Sequence, residues 1–107
     1  MRVIFLCALE ELTNYYSKGF SFDEESIFVV RQNDKVYAYR NSCPHLGIQL
    51  EWQADRFLDL EGELIQCSTH GALFTIQEGF CVSGPCSGQS LEALKVDIRD
   101  GQVWVDV

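Results

Sequence analysis

Apolar residues along this chain come in short runs that alternate with polar positions, and turn residues punctuate them. No stretch keeps a convincing helical period. The runs "SIFVVR" and "KVYAYR" are rich in β-branched and aromatic residues and are separated by Gln32, Asn33 and Asp34, a hairpin signal. In the second run Val36, Ala38 and Arg40 alternate with Tyr37 and Tyr39, which reads as the two faces of one strand. Further strands are predicted from Arg2 to Cys7, over "ELIQC" and "ALFTI" around the Ser68 to Gly71 loop, and over "LKVDI" and "QVWVDV". That last pair forms a terminal hairpin through Arg99, Asp100 and Gly101, with Trp104 as a core or half-buried strand residue. "ALEELTNYYSKGF" reads as a brief helical turn and a loop, with extended chain resuming at Phe20 and Phe22. Seven or eight short strands spaced in this way predict an all-β, antiparallel sandwich or barrel-like fold.

The chain has 107 residues, which is room for a single domain with one modest core. Sixteen acidic residues against eight basic ones give a formal charge of −8. That charge repels phosphate backbones and anionic membranes, so nucleic acid is disfavoured as a partner and a basic protein surface is favoured. The apolar run from Val3 to Leu9 ends at Glu10 and Glu11, too short to span a bilayer and without a signal-peptide cleavage region. The expectation is a cytoplasmic protein. Five cysteines in a reducing compartment point to metal or redox chemistry rather than to a disulfide framework.

Four residues concentrate that chemistry. Cys43 and His45 stand one residue apart, Cys67 and His70 two apart, and the chain's two histidines both fall in these pairs. Each pair lies at the end of a predicted strand, so two loops on a rigid sheet can close on one metal site. Gly47 and Gly71 supply unusual backbone angles beside the pairs, Pro44 fixes φ between the first two, and Leu46 and Leu73 are placed to shield the site. Isolated cysteines and histidines are more often buried or hydrogen-bonded side chains than ligands, but that explanation is poor when both histidines sit beside cysteines. Tetrahedral zinc, as a structural or interaction module, is one reading of a Cys2His2 set. Common zinc patterns, however, place the cysteines together and the histidines together, whereas here each loop carries one of each. The mixed pattern suits a two-iron cluster with both thiolates on one iron and both imidazoles on the other.

"CPHLG" followed by "CSTHGALF" resembles the Rieske [2Fe–2S] signature, and "SGPCSG" at 83–88 stands where Rieske domains have a Gly-Pro loop covering the cluster. The resemblance implies a Rieske-like antiparallel β-sandwich over 1–107. A small cluster-binding subdomain at about 41–88 would hold one [2Fe–2S] cluster through Cys43, His45, Cys67 and His70. It also implies an electron-transfer component rather than an enzyme, a Rieske-type ferredoxin shuttling single electrons between a flavin reductase and a terminal oxygenase. A catalytic Rieske oxygenase would need a second domain with mononuclear iron, and the nitrite-reductase small subunit that shares the fold generally lacks the ligands.

One departure from the family is the 21 residues between His45 and Cys67, longer than usual, with "QADRFLDLEGEL" expected as an edge or partner-facing insertion. Its carboxylates Glu51, Asp55, Asp59, Glu61 and Glu63 are candidates for steering a basic partner, or simply a solvated face. Where high-potential respiratory Rieske proteins carry hydroxyl donors after the second histidine, this chain has Ala72 and Phe74; where they carry an extra disulfide it has Ile48 and Ser68 or Thr69. A potential at the low end of the Rieske range, roughly −150 mV, is therefore expected. Cys7 is expected in the core, and Cys81 and Cys86 as buried thiols rather than a disulfide across the covering loop.

Overall fold

The computed structural model describes residues 3–12, 16–22, 25–33, 35–42, 50, 57–59, 62–67, 71–84 and 88–106. Among them are nine strands: β1 (Val3–Ala8), β2 (Tyr16–Phe22), β3 (Glu25–Gln32), β4 (Lys35–Arg40), β5 (Leu64–Gln66), β6 (Leu73–Thr75), β7 (Cys81–Ser83), β8 (Ala93–Arg99) and β9 (Gln102–Asp106). The helical turn expected after β1 is a single 3-10 turn, Leu9–Glu11, in which the Glu11 carboxylate accepts the Ala8 N–H at 2.7 Å.

Six strands form one antiparallel sheet in the order β1-β9-β8-β4-β3-β2, and three form a small sheet in the order β5-β6-β7. Both expected hairpins are present. β3 and β4 pair from Ile27↔Arg40 to Gln32↔Lys35, and Asn33 in their turn has φ 57°. β8 and β9 meet through Asp100 and Gly101, both at positive φ, the geometry of a tight two-residue turn that matches strand twist.

Burial shows why the middle of the large sheet lacks a polar face. Ile27, Phe28, Val29 and Val30 of β3 are all fully buried, although successive side chains point to opposite faces. Ile27 and Val29, with Val36 and Ala38 of β4, join Cys7, Leu12, Val103 and Val105 in one core, between the β2-β3-β4 and β1-β9-β8 parts of the sheet. Phe28, Val30 and Tyr39 face the other way. They pack with Leu50, Phe57, Ile65, Cys67, Ala72, Phe74, Ile76, Cys81 and Leu91 in a second core beneath the small sheet. The two faces read for β4 thus both enter cores. Trp104 is half-buried, with Phe5 edge-on to it at 5.4 Å between centroids.

Three local expectations need correction. The segment read as a loop through Tyr16 is strand β2, paired along its length with β3; Ser17 and Gly19 obscure its apolar pattern. The three-residue β7 was too short to give a periodic signal. The stretch expected as an edge insertion is anchored in the core: Phe57 is fully buried, lies flat on Phe28 at 4.3 Å, and its carbonyl accepts the Gln66 N–H at 2.8 Å. Leu58 bridges to Ile65, and Asp59 ties off the turn by accepting the Glu63 and Leu64 N–H groups at 3.0 and 3.3 Å. Among its described carboxylates, Asp59 is thus structural, while Glu63 stands exposed.

Candidate metal centre

Of the four sequence-predicted ligands, Cys67 lies among the described residues; Cys43, His45 and His70 lie outside them, as do Pro44, Leu46, Gly47 and Cys86. What can be built from the residues upward is the set of anchors from which each loop departs and to which it returns.

The first loop leaves β4 at Asn41, a residue 5% exposed. Its backbone N–H donates to the Ser26 carbonyl at 2.9 Å, its amide Nδ2 donates to Ser26 Oγ at 3.2 Å, and its Oδ1 accepts the buried Leu50 N–H at 2.8 Å. Asn41 therefore closes the segment 42–49, which contains Cys43 and His45, at its base. Sequence reasoning passed over this residue, although an Asn just ahead of a loop is a recognisable signal because its side chain can bond nearby backbone groups.

The second loop is tighter. Cys67 is fully buried at the end of β5; its N–H donates to the Ala72 carbonyl at 2.8 Å and its carbonyl accepts the Gly71 N–H at 2.9 Å. Gly71 has φ +66°, the positive backbone angle expected beside the second ligand pair. Leu73, expected as a shield, is half-buried in β6.

The third loop rises from β7, where the Cys81 N–H donates to the Gln89 carbonyl at 2.8 Å across the loop's base. Cys81 is a buried thiol, as expected, with its Sγ 3.3 Å from the Ser83 carbonyl. At Gly84 (φ +104°) an added Cβ would come 2.8 Å from the Ala72 Cα. Only glycine lets the chain at position 84 lie directly against Ala72, a close backbone approach of the kind glycine permits.

Leu50, Cys67, Ala72 and Cys81, one or more from the base of each loop, belong to a single buried core cluster. That cluster is fixed to the large sheet by Tyr39, whose hydroxyl donates to the Ile76 carbonyl at 2.5 Å. Burial holds the Tyr39 phenol well above its ordinary range, reinforced by Tyr37 and Glu78. The anchors fit an iron–sulfur cluster: Cys67 is buried at the end of β5, Gly84 lies against Ala72 with no room for a side chain, and the intervening sequence offers thiolate and imidazole donors.

A large antiparallel sheet bearing a small three-stranded one, with the residues that flank the segments 43–49, 68–70 and 85–87 gathered in one core cluster, is the frame from which ligands on those segments would be presented. The chain belongs to the Rieske [2Fe–2S] domain family, whose model matches residues 2–98. It is 31% identical over 97 residues to the cytochrome b6-f complex iron-sulfur subunit of Chlorobaculum tepidum, covering 91% of this chain and 49% of that protein. To the ferredoxin CarAc of Metapseudomonas resinovorans it is 32% identical over 77 residues, 72% of this chain and 66% of that protein. The chain thus spans about half the length of the first relative and just under two thirds of the second. Among solved structures, the carbazole 1,9a-dioxygenase ferredoxin from Nocardioides aromaticivorans IC177 superposes with a TM-score of 0.79 at 25% identity, covering 98% of this chain and 97% of that one. A chain in a complex of reduced oxygenase and oxidised ferredoxin of carbazole 1,9a-dioxygenase matches with a TM-score of 0.80 at 26% identity, over 96% of this chain. The cofactor of the family is a Rieske [2Fe–2S] cluster.

Proposed function

We propose that this chain is a low-potential Rieske ferredoxin that holds its cluster through Cys43, His45, Cys67 and His70 and passes single electrons from a flavin reductase to a terminal oxygenase. The bound cluster supplies one site that takes up and releases a single electron. Cys67 at the floor of the second loop would be one of the two thiolate ligands on the inner iron, with Cys43 the other. His45 and His70 would face outward and form the exchange edge. Asn41, the Cys67–Ala72 hydrogen bond and Gly84 would keep the three loops in place while the charge changes, which is what a carrier requires of its frame.

The observation that carries the reading is the rooting of all three loops in one buried cluster beside Cys67. A low potential is supported by Ala72 and Phe74. Both are buried, at 1% and 0% exposure, in the positions after the second histidine, and neither has a hydroxyl to donate toward the cluster. Hydrogen bonds to cluster sulfurs stabilise the reduced state, so their absence lowers the potential. The oxygenase partner is supported by the ferredoxin–oxygenase complexes among the structural neighbours. No helix among the described residues is long and apolar enough to cross a membrane, and the cytoplasm remains the proposed location.

Anaerobically purified protein should be reddish-brown and, once reduced, give a rhombic Rieske EPR signal. Protein-film voltammetry should place its midpoint near roughly −150 mV. A colourless protein containing zinc overturns the cluster assignment; a Rieske signal with a midpoint well above zero overturns only the argument from Ala72 and Phe74.

A further inference from the structure

The small sheet has an outward face as well as the inward one that covers the core. Ile65, Phe74 and Cys81 point inward and are buried. By strand alternation Leu64 of β5 and Leu73 of β6 point the other way; β7 is bulged opposite Leu73, and Val82 at the bulge and Phe80 just ahead of the strand are turned to the outside, as their exposure shows. Phe80 and Val82 are 43% and 48% exposed, and Leu64 and Leu73 are half-buried. The face continues into the cluster-binding end, because Leu73 pairs with Ser83, next to Gly84 of the covering loop.

Charge is distributed unevenly along the sequence. Residues 41–94 contain seven carboxylates (Glu51, Asp55, Asp59, Glu61, Glu63, Glu78 and Glu92) and one basic residue, Arg56, for a net −6, of which Glu92 is ion-paired with Arg40 just outside the span. Residues 1–40 and 95–107 contain nine carboxylates and seven basic residues, for a net −2, and together these account for the total of −8. Between Arg56 and Lys95 the chain has no lysine or arginine at all. Glu63 and Glu78, both exposed, adjoin the apolar face at its β5 end and at the β6–β7 turn.

We propose that the outward face of the small sheet, centred on Phe80 and Val82, is the surface on which a redox partner docks, and that the partner presents an apolar patch rimmed by lysine and arginine. The inference rests on the electron-carrier reading above. Apolar side chains at a contact centre supply the short-range attraction, while a one-signed rim steers approach and excludes acidic surfaces. Of the other exposed large apolar residues, Val3 and Phe5 lie on the edge strand β1, Tyr16 on the edge strand β2 and Ile98 on β8, in the part of the chain where charge is nearly balanced.

The test uses the reduced holoprotein and a lysine-ringed c-type cytochrome as electron acceptor, in anaerobic stopped-flow. A double variant Phe80→Ser with Val82→Asn should transfer electrons about tenfold more slowly at fixed ionic strength, the size of effect that centre residues of an interface carry. Its EPR signal and midpoint potential should be unchanged. A control variant, Val3→Asn with Phe5→Ser, should react at the parent rate. The docking assignment is overturned if the first variant keeps the parent rate, or if the control slows as much. Single variants at Phe80 and at Val82 stand in if the double variant loses its cluster. Failure of the carrier reading shows itself separately, as a parent protein with no Rieske signal.

Discussion

Asn41 and Tyr39 show how much of this site rests on single polar contacts made in buried surroundings. Removing the Asn41 amide leaves the buried Leu50 N–H without its acceptor, a loss of about 1–3 kcal/mol. Asn41→Ala should therefore lower stability by that amount in denaturant titrations and speed bleaching of the visible bands on warming. Tyr39 makes a pH-dependent contribution. Its phenol is held above the ordinary value of 10, chiefly by burial and further by Tyr37 and Glu78, so the folded state keeps the proton that the unfolded chain releases. Stability from this group is complete below the unfolded phenol value and is lost as pH rises beyond it toward the folded value. In Tyr39→Phe the alkaline decline in unfolding free energy should be shallower than in the parent, as seen by urea titration between about pH 9 and pH 11.

At the scale of elements, the hairpins were readable from the sequence because their turns need particular residues. Asn33 and Asp100 with Gly101 occupy positive φ, and the flanking runs have the β-branched and aromatic composition of strands. The first part of β2, ahead of Phe20, was missed because polar Ser17 and Lys18 and the flexible Gly19 interrupt its pattern, and pairing with β3, buried from Ile27 to Val30, decides its state. The segment before β5 was misjudged for a related reason: its carboxylates suggested exposure, whereas Phe57 packs into the core against Phe28 with Leu58 beside it. Phe57→Ala should cost about 3–5 kcal/mol, the usual penalty for emptying a fully buried aromatic site. A thermal melt of the variant within a degree or two of the parent would restore the view of this stretch as an appended insertion.

For the whole molecule, the relevant quantity is where the negative charge sits. The segment 41–94 carries a net −6 of the chain's −8, with Glu92 held against Arg40 and Glu63 and Glu78 exposed. Electron transfer to a basic acceptor should slow steeply as ionic strength rises from about 0.01 to 0.15 M, over which the screening length falls from about 30 to 8 Å. A rate independent of salt in stopped-flow would mean that the carboxylates are only a solvated face.

The sequence by itself determined the family and pointed to the chemistry proposed for it. Thiolate and imidazole donors in two mixed pairs, a Gly-Pro loop at the right remove and alternating strands are local features, and local features are written residue by residue. Only the tertiary structure decided how the loops are held. The Asn41 to Leu50 bond, the fit of Gly84 against Ala72 and the Tyr39 tie to Ile76 all join residues brought together by folding. The same holds for the outward face of Phe80 and Val82: a pattern of alternation says that a strand has two sides, but which side is covered depends on what packs against it.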